Sequence, residues 1–255
     1  MNLRDVNNAA FLHRERARFR AGASALLGIA LDPAPGDGVA IDVAGLAELR
    51  AIATSPNGAA TIGAFVSLAE LSAVLPVLVP PDAAPASVRL RLALHGARVT
   101  VYGLGRTRTA AIEQLTVAAY ELPATIDVPA IREGLGIAER RRATNDGSAS
   151  FSLGITAALR VSPLARFEQV RIFVDVDGVV RRATTAEARL EGERCDRDLI
   201  PDAARLAAAS MKADDARSSA IARAIQPLVL AALRDAFEAA RPMRGGSARS
   251  PYQAT

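Results

Sequence analysis

The stretch ATIGAFVSLAEL, residues 60–71, combines a short apolar run with the start signal of a helix. Its part TIGAF (61–65) is typical of a short buried strand, in which the glycine marks a place where a ligand or another backbone approaches closely. Ser67 and Glu70 then have the spacing of a capping box, which predicts a helix that Pro76 limits. A strand followed at once by a capped helix indicates a mixed α/β segment.

Similar short elements surround this stretch on both sides. The run VAIDVAGLAELRAI (39–52) predicts a strand followed by a helical turn, and GARVTVYG (96–103) and LPATIDVPAI (122–131) predict two more strands. The proline-rich run 76–87 predicts a loop. The run ERRRATNDGS (139–148) predicts a charged connector, which would end the mixed segment.

The last third of the chain has the pattern of a separate α+β domain. FSLGITAALRV (151–161) predicts a strand, and VRIFVDVDGVVRRAT (170–184) predicts a hairpin whose turn is Asp177-Gly178. Thr184 and Glu187 predict a capped short helix, and two longer helices follow, the second containing Pro227, which is expected to kink or split it. We therefore expect segments over residues 1–54, 55–147 and 148–241, followed by a flexible tail over 242–255.

Composition excludes several classes of function. The 255 residues carry a net charge of +4, but aromatics are 4% and tryptophan is absent, so no basic surface with stacking platforms for nucleic acid is expected. Cys195 is the only cysteine, which excludes an internal disulfide, a cysteine zinc site or an iron–sulfur cluster, and His13 and His95 are too few for a histidine metal site. Without a signal peptide or a membrane-spanning run, the chain is expected to be cytoplasmic.

Two backbone-centred segments are the candidates for a binding site. Ala21, Gly22, Ala23 and Ser24 have the composition of a turn that presents consecutive N–H groups and a hydroxyl to a phosphate. Ile62, Gly63 and Ala64 place a glycine where a ligand would come close to the backbone. Taken alone, either segment is better explained as a tight packing turn, because such turns are common in an alanine-rich chain. Neither histidine lies near a nucleophile turn, so a Ser/His/Asp triad is not expected.

The order of these motifs along the chain resembles one family. AIDVAGLAEL (40–49), ATIGAFVSLAEL (60–71) and the C-terminal runs FSLGITAALRV, AEARLEGE and DDARSSAIARAI resemble, in order and spacing, the medium FAD-binding subunit of molybdenum hydroxylases, the group of carbon monoxide dehydrogenase and the xanthine dehydrogenases. The resemblance covers most of residues 19–240. It implies an α+β chain with two small FAD-binding subdomains of the vanillyl-alcohol-oxidase type, followed by a C-terminal domain of a small antiparallel sheet with helices.

The resemblance also implies a cofactor site and partners. FAD would be held by Ala21, Gly22, Ala23 and Ser24, by Ile62, Gly63 and Ala64, and by Asp82. The molybdenum cofactor and the iron–sulfur clusters would lie in partner subunits, a molybdenum-binding large subunit and an iron–sulfur small subunit, within a hetero-oligomer. The chain would then relay electrons from the iron–sulfur subunit through FAD to an acceptor.

The chain departs from the family at both flavin loops. Where the first loop of the family reads Ala-Gly-Gly-Thr-Asp, this sequence has Ala21, Gly22, Ala23, Ser24 and Ala25, and the second loop, Thr-Ile-Gly-Gly-Asn, is missing before Asp82. Another arginine, such as Arg20, Arg89 or Arg91, would have to compensate for the lost donors. The departures raise a second hypothesis, a flavin-free homologue that acts as a structural or assembly subunit. A free-standing small-molecule binding protein is a third, more remote one.

Overall fold

A computed structural model describes residues 2–32, 38–79, 85–130, 134–145, 150–177, 179–210 and 216–241. The chain divides into two compact units, Met1–Ile131 and Arg132–Thr255. Both units mix helices with antiparallel strands, so the predicted α+β class is confirmed. The finer division into domains at residues 54, 147 and 241 remains a prediction.

The first unit contains three α-helices and nine strands within its described residues. Its five-stranded sheet has the order β5-β6-β9-β7-β8 with all neighbours antiparallel, while β1 pairs parallel with β4 and β2 forms a hairpin with β3. The elements are α1 (Leu3–His13), β1 (Ala17–Arg20), β2 (Gly22–Ser24), β3 (Ile29–Leu31), β4 (Val39–Asp42), β5 (Ile52–Thr54), β6 (Ala60–Gly63), α2 (Leu68–Val74), α3 (Pro85–Leu94), β7 (Arg98–Gly103), β8 (Arg106–Ala111) and β9 (Leu122–Val128).

The local signals around residues 60–71 are confirmed in the first unit. The Ser67 hydroxyl accepts the Glu70 N–H, and the Glu70 carboxylate accepts the Ser67 N–H in return, so the capping box opens α2. The expected loop over 76–87 is wrong at its end, because α3 begins at Pro85. Proline is tolerated in the first turn of a helix, where its missing N–H would have no intrahelical partner. Residues 80–84 lie outside the described part.

The second unit is a four-stranded antiparallel sheet with helices on one face. The strand order is β10-β11-β12-β13, and the core between sheet and helices contains Phe167 and Phe237, whose ring centroids are 5.5 Å apart. The elements are β10 (Leu135–Asn145), β11 (Ser150–Val161), β12 (Phe167–Val176), β13 (Val179–Arg182), α4 (Thr184–Leu190), α5 (Leu199–Ala209) and α6 (Ala216–Ala240).

The expected charged connector is wrong, and so is the expected split of the last helix. The charged run predicted as a connector from residue 139 belongs, up to Asn145, to β10, which pairs along its whole length with β11. An edge strand tolerates charges on its solvent side, and Arg140 forms an ion pair with Asp235 on α6. Pro227 does not split the last helix, since α6 continues through it to Ala240, and the alternative, a kink at this residue, stays a prediction.

The predicted hairpin is confirmed, but the cap beside it is not. β12 and β13 flank Asp177, which has a φ of 52°, while Gly178 lies outside the described residues. The helix α4 has Ala183 at its N-cap and no side-chain cap. The Glu187 carboxylate instead turns to the sheet, where it accepts the Ile172 N–H at 2.9 Å and pairs with Arg182.

Candidate functional site

The first candidate segment, from Ala21 to Ser24, forms one side of a β-hairpin. The Ala21 N–H donates to the Leu31 carbonyl at 3.0 Å, and Gly22 and Ala23 lie opposite Leu31 and Ala30 in the β2–β3 pair. Gly22 has a φ of 83°, a left-handed conformation that suits glycine. The turn closes where the Gly28 N–H donates to the Ser24 carbonyl at 2.9 Å. This segment is therefore paired with its own neighbouring strand.

The Ser24 side chain joins the two candidate segments to each other. Its exposed fraction is only 2%, and its hydroxyl donates a hydrogen bond to the carbonyl of Ala64. The same oxygen accepts the Leu27 N–H at 3.3 Å. The structure thus brings Ser24 and Ala64 together, as a single site formed by both segments requires, but the hydroxyl is engaged by the protein.

The second candidate segment, Ile62 to Ala64, is buried and its amides are engaged within the protein. The Gly63 N–H donates to Ala51, the Ala64 N–H to Ala124 and the following Phe65 N–H to Leu49, over 2.7, 2.8 and 2.9 Å. A Cβ on Gly63 would lie 2.7 Å from the Arg50 nitrogen and closer still to the Leu49 carbonyl. Another backbone therefore occupies the space that this glycine leaves.

Of the three arginines named as possible replacements, Arg89 lies against the hairpin. From α3, its guanidinium donates to the Leu27 carbonyl at 3.0 Å and to the Ile112 carbonyl at 3.1 Å. Burial lowers the pKa of Arg89 from its ordinary value, and the charge of Glu113 acts in the opposite direction. Composition alone gave no reason to prefer Arg89, because its two acceptors are backbone carbonyls remote in sequence.

The other two arginines have other partners. Arg20 is exposed and 3.9 Å from the Asp32 carboxylate, and Arg91 donates to the Val77 carbonyl at 3.3 Å. Asp82 lies outside the described residues, so its predicted contact with FAD remains a prediction.

Two further reactive side chains, His95 and Cys195, are partly buried. Burial, with a smaller contribution from Arg91, lowers the pKa of His95 to about 4, so this imidazole is neutral at pH 7. Burial raises the pKa of the Cys195 thiol. Within the described ranges, no group of His, Cys, Asp and Glu side chains could hold a metal ion. The helices of the same ranges include none that is long and apolar enough to cross a membrane.

A groove of about 280 Å³ beside the five-stranded sheet is lined in part by Thr61, Arg98 and Asp127. The Asp127 carboxylate accepts hydrogen bonds from the hydroxyls of Thr61 at 3.0 Å and Thr100 at 3.2 Å. These bonds join three neighbouring strands, which is a structural role.

The chain matches several solved structures over nearly their whole length. It superposes on carbon monoxide dehydrogenase from Hydrogenophaga pseudoflava with a TM-score of 0.62 and 21% identity, covering 93% of this chain and 95% of that chain. Quinoline 2-oxidoreductase from Pseudomonas putida 86 gives 0.60 and 17%, covering 94% and 95%. Carbon monoxide dehydrogenase from Oligotropha carboxidovorans gives 0.60 and 18%, covering 93% and 95%. The chain has the fold of these enzyme chains.

No protein-family model matches the sequence, and no curated protein matches it significantly. The resemblance to the medium subunits of molybdenum hydroxylases, which rests on the order of the sequence motifs, is thus confirmed at the level of the fold. Two of these structures are carbon monoxide dehydrogenases, and the Hydrogenophaga pseudoflava enzyme was solved in a form that lacks the Mo-pyranopterin moiety of its molybdenum cofactor.

Three donors of the two candidate segments do not fit a dinucleotide in this arrangement. A diphosphate needs several oriented donors, each worth about 1.5–3 kcal/mol. Here the Ser24 hydroxyl and the amides of Gly63 and Ala64 already donate to backbone carbonyls. Turning them toward a ligand would leave buried carbonyls without donors, at about 1–3 kcal/mol each. The loss would offset most of the gain, so these donors provide no basis for an electron-transfer step through FAD.

Proposed function

We propose that this chain is a medium-type subunit of a molybdenum hydroxylase assembly, with a structural or assembly role in place of flavin-dependent electron relay. The observation that carries the proposal is the extent of the fold match. It covers 93–94% of this chain and 95% of the solved chains, so both units are included. A match of this extent supports a shared place in an assembly better than a shared isolated subdomain would.

The engaged donors favour the structural role over the redox role. In the redox alternative, FAD would lie against Ala21–Ser24 and Ile62–Ala64 and pass electrons to an acceptor. That alternative requires donors that here serve the backbone, beginning with the buried Ser24 hydroxyl. It also requires a second flavin loop, which the sequence lacks before Asp82. A subunit that keeps its fold but not its cofactor agrees with both observations.

The proposal includes the rest of the assembly. The partners would be an iron–sulfur small subunit and a molybdenum-binding large subunit, each with its own cofactor, in a hetero-oligomer. The first unit would correspond to the two subdomains of the vanillyl-alcohol-oxidase type. The second unit, with its antiparallel sheet and helices, would correspond to the C-terminal domain.

Metal analysis of the purified complex tests the proposal. The full chain, tagged and produced from its own genomic locus, is purified gently, and the eluate is separated by size and assayed for iron, labile sulfide and molybdenum. We expect iron, sulfide and molybdenum to elute with the chain at a size well above 26.6 kDa. The tag on an unrelated protein from the same cells is the control. A chain that elutes alone and without metals would contradict the proposal.

A further inference from the structure

The turn between β2 and β3, residues 25–28, is held from two sides by the chain itself. On one side, the buried Ser24 hydroxyl donates to the carbonyl of Ala64 and accepts the Leu27 N–H. On the other side, the Arg89 guanidinium donates to the carbonyl of the same Leu27. Both the amide and the carbonyl of Leu27 are therefore satisfied by side chains.

Arg89 also connects the turn to a third segment. Its second guanidinium nitrogen donates to the Ile112 carbonyl at 3.1 Å, 23 residues further along the chain. One side chain of α3 thus links the hairpin to the short helical turn that follows β8. Hydrogen bonds from a charged group are stronger than those from a neutral one. Arg89 is consequently well placed to fix this turn.

We propose that Ser24 and Arg89 form an internal clamp that orders the β2–β3 turn, so that the first unit completes its fold without a dinucleotide. In this arrangement the cation is directed at backbone carbonyls, and an anion at the turn would have to displace them. The carbonyl oxygens of Leu27, Ala64 and Ile112 present negative dipole ends to the donors. The turn is held by donors of the protein and has no requirement for a phosphate.

The partial burial of Arg89 agrees with its role in the clamp. Arg89 loses part of its hydration, and burial accordingly lowers its pKa, while the negative charge of Glu113 offsets the change. Glu113 is next to Ile112, so the countercharge and one acceptor come from the same short segment. The charge that partly offsets the burial of the guanidinium therefore comes from within the unit. The inference concerns this unit alone and does not depend on which partners the chain has.

Thermal unfolding of the full chain, followed by far-UV circular dichroism, tests the clamp. The variants are Arg89→Gln and Ser24→Ala, and Arg106→Gln removes an exposed arginine of the same unit as a matched control. We expect each clamp variant to lower the midpoint of the first unit by about 5 °C or more, and the control to leave it unchanged. FAD and inorganic pyrophosphate are each titrated into the wild-type chain, and neither should change the midpoint of thermal unfolding.

Two outcomes would overturn the inference. One is a saturable rise of the wild-type midpoint with FAD or pyrophosphate that Arg89→Gln abolishes, because Arg89 would then be an anion ligand. The other is a midpoint of Arg89→Gln equal to that of the control. If Arg89→Gln does not fold, the wild-type titrations decide alone: no shift supports the clamp and a saturable shift overturns it. Because the readout is the stability of one chain, loss of the partners would not imitate either result.

Discussion

Replacing Gly63 by alanine separates two explanations of this glycine. If Gly63 exists to let a cofactor approach, Gly63→Ala should weaken flavin binding and leave the stability of the ligand-free chain unchanged. If it exists to let β6 pack against the backbone of Leu49 and Arg50, the variant should destabilise the chain whether or not flavin is added. The structure supports the second explanation, because the added Cβ would lie 2.7 Å from the Arg50 nitrogen.

The expected loss follows from the contacts around Gly63. The added methyl group meets backbone and not the flexible end of a side chain, so the strand or the segment at Leu49 must move. Overpacking of this kind costs about 1–3 kcal/mol. Movement would also strain two hydrogen bonds, from the Gly63 N–H to Ala51 and from the Phe65 N–H to Leu49, worth about 1 kcal/mol each. We expect the free energy of unfolding of the first unit to fall by roughly 3–5 kcal/mol.

Gly45→Ala is the matched control, since a Cβ there would meet nothing within 4 Å and the residue does not have a positive φ. It should be neutral or stabilise the chain by up to about 1 kcal/mol. Urea unfolding followed by circular dichroism gives the two free energies, and hydrogen exchange with mass spectrometry assigns the loss to the peptides of the five-stranded sheet. Equal stability of the two variants, with flavin binding lost only in Gly63→Ala, would refute the reasoning.

Three further predictions concern other parts of the chain. Gly136→Ala on β10 should destabilise the second unit by about 3 kcal/mol, because the added Cβ would lie 2.6 Å from the Ala240 nitrogen of α6. The urea midpoint of the second unit measures this loss. A neutral effect would mean that strand and helix are not in close contact. Pro227→Ala should raise the free energy of unfolding of the second unit by about 1–3 kcal/mol, because the exposed proline interrupts the hydrogen bonds of α6. A urea midpoint lower than that of the wild type would contradict a continuous helix. His95 has a pKa of about 4 in the folded chain and binds a proton more readily when the chain unfolds. Lowering the pH from 7.5 to 5 should therefore reduce the free energy of unfolding by about 2 kcal/mol. His95→Gln should remove that part of the pH dependence, which urea titrations at both pH values measure.

Local signals in the sequence predicted local structure well. The capping box of Ser67 and Glu70 needs only the residues of one helical turn, and the hairpin at Asp177 needs only alternating apolar residues around a turn. The charged strand β10 was not predicted, because its support comes from β11 and from Asp235 on α6, neither of which the local pattern shows. The same limit applies to Glu187, whose carboxylate serves a strand and not its own helix.

The candidate site shows the same limit more clearly. The sequence indicated that something approaches Gly63 closely, but the residue type is the same whether the neighbour is a ligand or the carbonyl of Leu49. Likewise, the hydroxyl of Ser24 was recognised as a donor, while its acceptor lies 40 residues away in Ala64. Arg89 carries no local motif at all. Tertiary contacts, and not residue types, decide whether such donors are available to a cofactor.

The flavin content of the purified full chain, alone and in its complex, tests most directly whether this fold works without its cofactor. The protein is denatured in acid, and released flavin is quantified by fluorescence against protein measured by amino-acid analysis. We predict a ratio of flavin to chain close to zero in both samples. A stoichiometric ratio, with the corresponding flavin bands in the visible spectrum of the complex, would contradict this prediction.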